Sequence, residues 1–95
     1  LGTGTHEHEG LGVQSVYPNP AASALFVDFW HYENQNIKLE VFNLMGEKII
    51  REEISSVKEK IKLNVSFLSG GYYFLKVTDE KGSGVVKKFV KGQAN

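Results

Sequence analysis

Apolar and polar side chains alternate with period two along most of this 95-residue chain, and this alternation is the strongest constraint on its fold. Such alternation is typical of β-strands that bury one face and expose the other. We predict strands at Val13–Tyr17, Ala24–Trp30, Ile37–Asn43, Glu47–Ile54, Ile61–Val65, Tyr72–Thr78 and Val85–Lys91. Seven short strands at this spacing, separated by turn residues, indicate an all-β, antiparallel sandwich.

The alternation also predicts which side chains face the core of the sandwich. The predicted inward residues include Leu25, Val27, Phe29, Ile37, Leu39, Val41, Tyr73, Leu75 and Val77. Lys38 and Glu40 fall on the outward face of their strand. For the seventh strand, the pattern does not decide which face points inward. Val86 and Val90 lie on one face, and Val85 and Phe89 lie on the other.

Proline and glycine mark the connections between these strands. Pro18 and Pro20 each fix φ at about −65° and lack a backbone N–H, so we expect a stiff, extended segment after the first strand. The predicted tight turns are Met45-Gly46, Ser69-Gly70-Gly71 and Asp79-Glu80-Lys81-Gly82, where glycine can adopt positive φ. Residues 55–60 are predicted to form a polar connection.

The chain has the length of one domain, which we place at residues 13–95. Residues 1–12 contain four glycines and two threonines without apolar periodicity, as in a flexible linker. The chain has no cysteine, which excludes a disulfide framework or a thiolate site. It lacks both the run of about 18 apolar residues that spans a membrane and a signal peptide. Leu1-Gly2-Thr3-Gly4-Thr5 has the composition of a linker, so we expect a fragment of a longer protein.

The net charge is zero, which gives no reason to expect nucleic-acid binding, but the charges are unevenly placed. Residues 1–80 have a net charge of −4, and residues 81–95 have a net charge of +4. Lys87, Lys88 and Lys91 could bind a phosphate-rich polymer or an anionic membrane. Lysines also protect edge strands from aggregation, and charge alone favours this second interpretation.

Few residues have the pattern of a metal or catalytic site. His6 and His8 would share one face of a strand and could hold zinc or copper, but two ligands on a linker make a weak site. His31 has no orienting acid on its own face, because Asp28 would point to the opposite side. Ser83 lies in a glycine loop rather than a nucleophile elbow. We therefore predict no enzymatic activity and no cofactor.

Aromatic side chains suggest an alternative role in binding. Phe26, Trp30, Tyr32 and Phe42 place aromatic surface on outward faces, where such rings stack on sugars or anchor a partner. The more ordinary interpretation is packing under a loop or a second layer. An accessory module that binds carbohydrate or a cell surface, with Trp30 and Tyr32 as contacts, is thus the alternative function.

Four motifs follow one another along the chain. They are Tyr17-Pro18-Asn19-Pro20-Ala21, Val41–Ile49 with Asn43-Leu44-Met45-Gly46 at its centre, Leu68–Val77 with Ser69-Gly70-Gly71-Tyr72-Tyr73, and Lys87-Lys88-Phe89-Val90-Lys91. This series resembles the C-terminal sorting domain of cargo proteins of the type IX (Por) secretion system in Gram-negative bacteria. The resemblance covers about Val13 to Lys91. Gln93-Ala94-Asn95 departs from it, because many members stop sooner after the last lysine.

The resemblance implies an immunoglobulin-like, seven-stranded sandwich at the end of a secreted protein. The precursor would pass through the periplasm on its way to the cell surface, and the outer-membrane translocon would recognise the folded domain. A sortase-like cysteine peptidase would then remove the domain, and the cargo would be joined to anionic lipopolysaccharide or released. The family places the cleavage site and linker in residues 1–12.

The resemblance also implies which residues carry the signal. Lys87, Lys88, Phe89, Val90 and Lys91 would be recognised, through a strand that adds to a partner sheet or through a charge patch. We add Tyr17, Pro18, Asn19, Pro20, Gly70, Gly71 and Tyr73 to this recognition set, and we assign Gly46 a structural role in a turn. The terminal edge strand and the N-terminal arm would also provide contacts for a dimer.

Overall fold

The computed structural model describes residues 12–29, 35–57 and 60–92, which form two antiparallel sheets. The strands are β1 (Val13–Tyr17), β2 (Ala24–Phe29), β3 (Gln35–Phe42), β4 (Lys48–Val57), β5 (Lys60–Asn64), β6 (Gly71–Thr78) and β7 (Gly84–Lys91). One sheet has the order β1-β2-β5, and the other has the order β4-β3-β6-β7. These ranges contain no helix, and so none that could cross a bilayer. The predicted all-β, antiparallel sandwich is confirmed, whereas its immunoglobulin-like subclass stays a prediction.

Side chains from the inward faces of both sheets form the core. All of the inward residues predicted for the second, third and sixth strands are buried, and none is more than 8% exposed. The open question about β7 is resolved, because Phe89 is 1% exposed and Val86 is 60% exposed. Val85, Lys87, Phe89 and Lys91 therefore share the inward side of β7.

The prediction of a polar connection over residues 55–60 is wrong for most of that segment. β4 continues to Val57, and β3 begins early enough for Gln35 to pair with Val57. β4 is an edge strand of its sheet. Because ladder hydrogen bonds join backbone groups, an edge strand can extend through polar residues without burying their side chains.

The segment after β1 is bent rather than extended, which corrects the expectation drawn from its prolines. Asn19 and Pro20 lie in bends, and the Tyr17–Pro18 and Asn19–Pro20 peptide bonds are both cis. The chain reaches Ala21 after this bend, and Ala21 lies against β7 of the other sheet. The prolines therefore occupy a crossing between the two sheets.

Two predicted hairpin turns are confirmed by their backbone geometry. Gly46 has φ of +85° and Gly82 has φ of +91°, in the left-handed region that side chains other than glycine rarely adopt. In the β6–β7 turn, the Asp79 carboxylate accepts hydrogen bonds from the backbone N–H groups of Lys81 and Ser83, both at 2.9 Å. These contacts position β7 in register beside β6.

Glu40 lies on the outward face of β3 as predicted, but it is only 5% exposed. Its carboxylate is 2.8 Å from the Lys48 ammonium on β4. The hydrogen bond from Lys48 lowers the pKa of Glu40 below its ordinary value of 4.5, and the positive charges of Lys48, Lys38 and Lys76 act in the same direction, whereas burial opposes them. Glu40 thus lies on the outward face of the four-stranded sheet, although its charged side chain is almost inaccessible to solvent.

Replacing Lys48 with glutamine should lower the free energy of unfolding at neutral pH by up to about 1 kcal/mol, because the covered Glu40 carboxylate loses its ion pair. The folded-state pKa of Glu40 lies below its unfolded value. The contribution of the pair is therefore complete above pH 4.5 and is lost as the pH falls through the folded-state pKa. Urea unfolding at neutral pH and in strongly acidic buffer measures both effects.

The matched control for this experiment is Arg51→Gln. Arg51 contacts Glu53, and both side chains are more than half exposed. We expect this variant to change the free energy of unfolding by less than about 0.5 kcal/mol. Equal losses for both variants at neutral pH, or a Lys48→Gln loss that persists in acid, would contradict the role given to Glu40.

Candidate functional site

Strand pairing brings all four sequence motifs to one end of the sandwich. We call it the motif end and define it as residues 18–21, 43–47, 68–71 and 90–92. Phe42 pairs with Phe74 between β3 and β6, and Gly71 pairs with Lys91 between β6 and β7. Because both pairs are antiparallel, the end of β3, the start of β6 and the end of β7 lie at the same edge of the sheet.

The bent proline segment binds the outer edge of β7 through three hydrogen bonds. Ala21 donates its N–H to the Val90 carbonyl at 2.7 Å and accepts the Gly92 N–H at 2.7 Å. The Asn19 side-chain oxygen accepts the Val90 N–H at 2.9 Å, although the two residues are 71 positions apart. Together these bonds fix the first motif to the last one.

Lys91 lies inside the motif end rather than on its surface. It is only 3% exposed, and its ammonium donates to the Leu68 carbonyl at 3.0 Å and to the Gly92 carbonyl at 3.3 Å. A buried ammonium requires such acceptors, since burial without them is costly. Sequence reasoning treated Lys91 as one of three presented lysines. Its position two residues after Phe89 was the available signal that it shares the inward face.

A buried aromatic pair joins the third motif to the fourth. The rings of Tyr73 and Phe89 stack with centroids 5.6 Å apart, and the Tyr73 hydroxyl donates to the Ser69 carbonyl at 2.7 Å. Gly71, between Ser69 and Tyr73, has φ of +148°, which favours glycine. The predicted inward packing of Tyr73 is confirmed, and its hydroxyl fixes the turn that precedes β6.

The second motif forms a loop organised by one asparagine. The Asn43 side-chain oxygen accepts the N–H groups of Met45 at 2.9 Å and Glu47 at 3.0 Å, and its amide donates to the Glu47 carboxylate at 2.7 Å. This network leaves Leu44 64% exposed and Met45 82% exposed. Sequence reasoning missed these exposed apolar tips, although two large apolar residues inside a turn were a visible signal.

The residues predicted to be recognised differ in accessibility. Pro18, Asn19, Pro20, Gly70, Lys87 and Lys88 are exposed, Tyr17, Gly71 and Val90 are half-buried, and Tyr73, Phe89 and Lys91 are buried. Their recognition roles stay predictions. In this fold, however, a partner can reach the side chains of the first group directly, whereas the third group supports the shape that the partner meets.

The other sheet carries a smaller cluster of aromatic and charged side chains. Tyr17 stacks on Phe26 with ring centroids 5.5 Å apart, and its hydroxyl donates to the Asp28 carboxylate at 3.2 Å. The Lys60 ammonium lies within 6 Å of both ring centroids. Phe26 is therefore partly covered by neighbours, in agreement with the packing interpretation.

The structure does not describe the remaining candidate residues for metal binding and aromatic contact. His6, His8, Trp30, His31 and Tyr32 lie outside the described residues. Within the described residues, no three histidine, aspartate or glutamate side chains come together as a metal site. The metal-binding arm and the Trp30–Tyr32 contact surface stay predictions from the sequence.

Comparison with known proteins assigns the chain to a family. The family described as the secretion system C-terminal sorting domain matches residues 15–92, which cover all seven strands except Val13 and Gln14 at the start of β1. The chain belongs to this family. It therefore carries a sorting signal of the type IX secretion system, whose machinery is its partner, and it accompanies a secreted or cell-surface protein. No individual curated protein matches the chain.

Replacing Lys91 with alanine should lower the free energy of unfolding of the sorting domain by about 1–3 kcal/mol, because the Leu68 carbonyl loses its buried donor. The same change at Lys87, an exposed lysine of the same strand, should cost less than about 0.5 kcal/mol. Urea unfolding of the two variants measures the difference. Equal effects would show that Lys91 is not held inside the domain.

Proposed function

We propose that this domain directs a cargo protein, attached on its N-terminal side, from the periplasm across the outer membrane. The translocon recognises the motif end of the folded domain. The observation that carries the proposal is the hydrogen-bonded contact between the proline segment and β7, which makes one surface from motifs far apart in sequence. A receptor that binds this surface reads the folded state rather than a linear peptide.

We further propose that a sortase-like peptidase removes the domain after translocation by cleaving within residues 1–12. The cargo is then joined to anionic lipopolysaccharide or released. Cleavage in this segment is supported by its position ahead of residues 15–92, which match the sorting-domain family.

The domain has no enzymatic activity of its own in this proposal. The exposed residues of the motif end are Pro18, Asn19, Pro20, Leu44, Met45, Gly46, Glu47, Ser69 and Gly70. The exposed Lys87 and Lys88 precede the motif end on β7. Such residues suit recognition by surface contact. Dimerisation through β7 or the N-terminal arm stays a prediction from the sequence, and sedimentation of the isolated domain tests it.

A reporter protein that carries a signal peptide and residues 1–95 at its C-terminal side should reach the surface of a bacterium with a type IX system. Deletion of residues 87–95 removes both the exposed lysines and the buried Phe89 and Lys91, so the reporter should stay in the periplasm. Protease accessibility on intact cells measures surface exposure. The sorting function fails if the truncated fusion reaches the surface as efficiently as the complete one.

Mass spectrometry of the mature cargo distinguishes removal of the domain from the alternative of a retained carbohydrate-binding module. We expect the cargo at the cell surface to end before Val13, because the peptidase would cleave ahead of β1. A mature protein that retains β1 to β7 would contradict removal. Glycan-array binding by the retained domain would then support the alternative function.

A further inference from the structure

β7 is an edge strand whose outer side is only partly covered. It forms one edge of the four-stranded sheet, next to β6. Asn19 and Ala21 occupy the outer side at Val90 and Gly92. Among the described residues, no strand pairs with the outer side of β7 over Gly84–Lys88. We call Gly84–Lys88 the open edge.

The register identifies the backbone groups that the open edge presents. β7 pairs with β6 without a bulge from Gly71–Lys91 to Thr78–Gly84. Val90 directs its N–H and C=O outward, to Asn19 and Ala21. Because both groups of alternate residues point to the same side of an antiparallel strand, Val86 and Lys88 also direct theirs outward. Val86 and Lys88 of the open edge therefore offer two donors and two acceptors for another strand.

The side chains beside these groups are positively charged on both faces of the sheet. Lys88 lies on the outward face, where its ammonium is 5.3 Å from the centroid of the Tyr72 ring. Lys87 lies on the inward side but is exposed. Alternate residues of an added strand would face each lysine in turn. Acidic side chains at those positions would form favourable cross-strand pairs, and basic ones would be repelled.

The same charges oppose pairing between two copies of this domain. In the antiparallel register that pairs Lys87 of two copies with each other, two like charges lie directly opposite. In the register that pairs all five residues, four ammonium groups still lie within one short ladder. Like charges placed opposite each other in a sheet are destabilising, and edge lysines suppress such self-association. The positive charge of the open edge thus favours an acidic partner strand over a second copy of this domain.

We propose that the open edge of β7 accepts an extended segment of the translocon that bears acidic side chains and pairs with Val86 and Lys88 as an added strand. This inference rests on the proposed sorting function and specifies the chemistry of its partner. Asn19 and Ala21 limit the added strand to about five residues, or about 17 Å. So short a ladder suits a contact that forms during translocation and is then released.

Val86→Pro is the most direct test, because the Val86 N–H points away from β6 and its loss breaks no bond within the sheet. The variant should bind detergent-solubilised type IX translocon about tenfold more weakly or worse, since a docked strand would lose a backbone donor and meet the proline ring. Val86→Thr keeps both the N–H and the β-branched shape, and it should bind like the wild type. Thermal unfolding of each variant checks that the fold is retained.

Charge reversal tests the acidic character of the partner and does not depend on tolerance of proline. Lys87→Glu/Lys88→Glu should weaken translocon binding about tenfold or more. Lys62→Glu, at an exposed position on β5 of the other sheet, should leave binding unchanged. If Lys87→Glu/Lys88→Glu weakens translocon binding but Val86→Pro does not, the contact depends on charge and not on strand pairing. That result, or no loss with either variant, would overturn the proposal.

Hydrogen exchange provides a readout that requires no substitution. In the free domain, the outward N–H groups of Val86 and Lys88 should exchange quickly, whereas those of Lys87 and Phe89 are protected by β6. Binding to the translocon should slow exchange at Val86 and Lys88. Translocon binding without added protection there would overturn strand addition but leave the sorting function intact. Absence of any binding by the wild-type domain would instead contradict the proposed function.

Discussion

The hydrogen bonds between Ala21 and the end of β7 are the contact on which the shape of the motif end depends. They join the two sheets of the sandwich at the motif end, because the proline segment leaves the three-stranded sheet to reach the four-stranded one. With Val90 held in place, Phe89 remains stacked on Tyr73, and Lys91 reaches the Leu68 carbonyl. Few of the motif residues act independently, since each fixes a neighbour from another part of the chain.

Much of the fold follows from the alternation of side chains. The strand count, the antiparallel sheets and the core of β2, β3 and β6 were predictable, because each depends on short-range periodicity. The burial of Glu40 and Lys91 was not. Alternation predicts which face of the strand a residue occupies. Whether its side chain is buried also depends on partners from other parts of the chain, such as Lys48 and Leu68. The length of β4 was missed for a related reason, because backbone pairing continued where apolar side chains stopped.

The candidate site shows the same division between local and long-range information. The motifs could be read from the sequence, but their convergence could not, because it depends on the register of β3, β6 and β7. The structure also separates lysines that the sequence grouped together. Lys87 and Lys88 remain accessible, whereas Lys91 is buried and its ammonium donates a hydrogen bond to the Leu68 carbonyl. Two accessible cations therefore lie beside an open backbone edge, framed by the bent proline segment.

The position of β7 in the chain has a consequence for the timing of recognition. β7 follows all the other strands in sequence, yet Ala21, which precedes β2, and Leu68, which precedes β6, both form hydrogen bonds with its end. Such long-range pairing cannot be completed until the late residues have been synthesised and have entered the compartment where folding occurs. The finished motif end thus reports that the polypeptide ahead of it is full length. Export machinery that recognises only this finished surface would reject truncated translation products without inspecting the cargo itself.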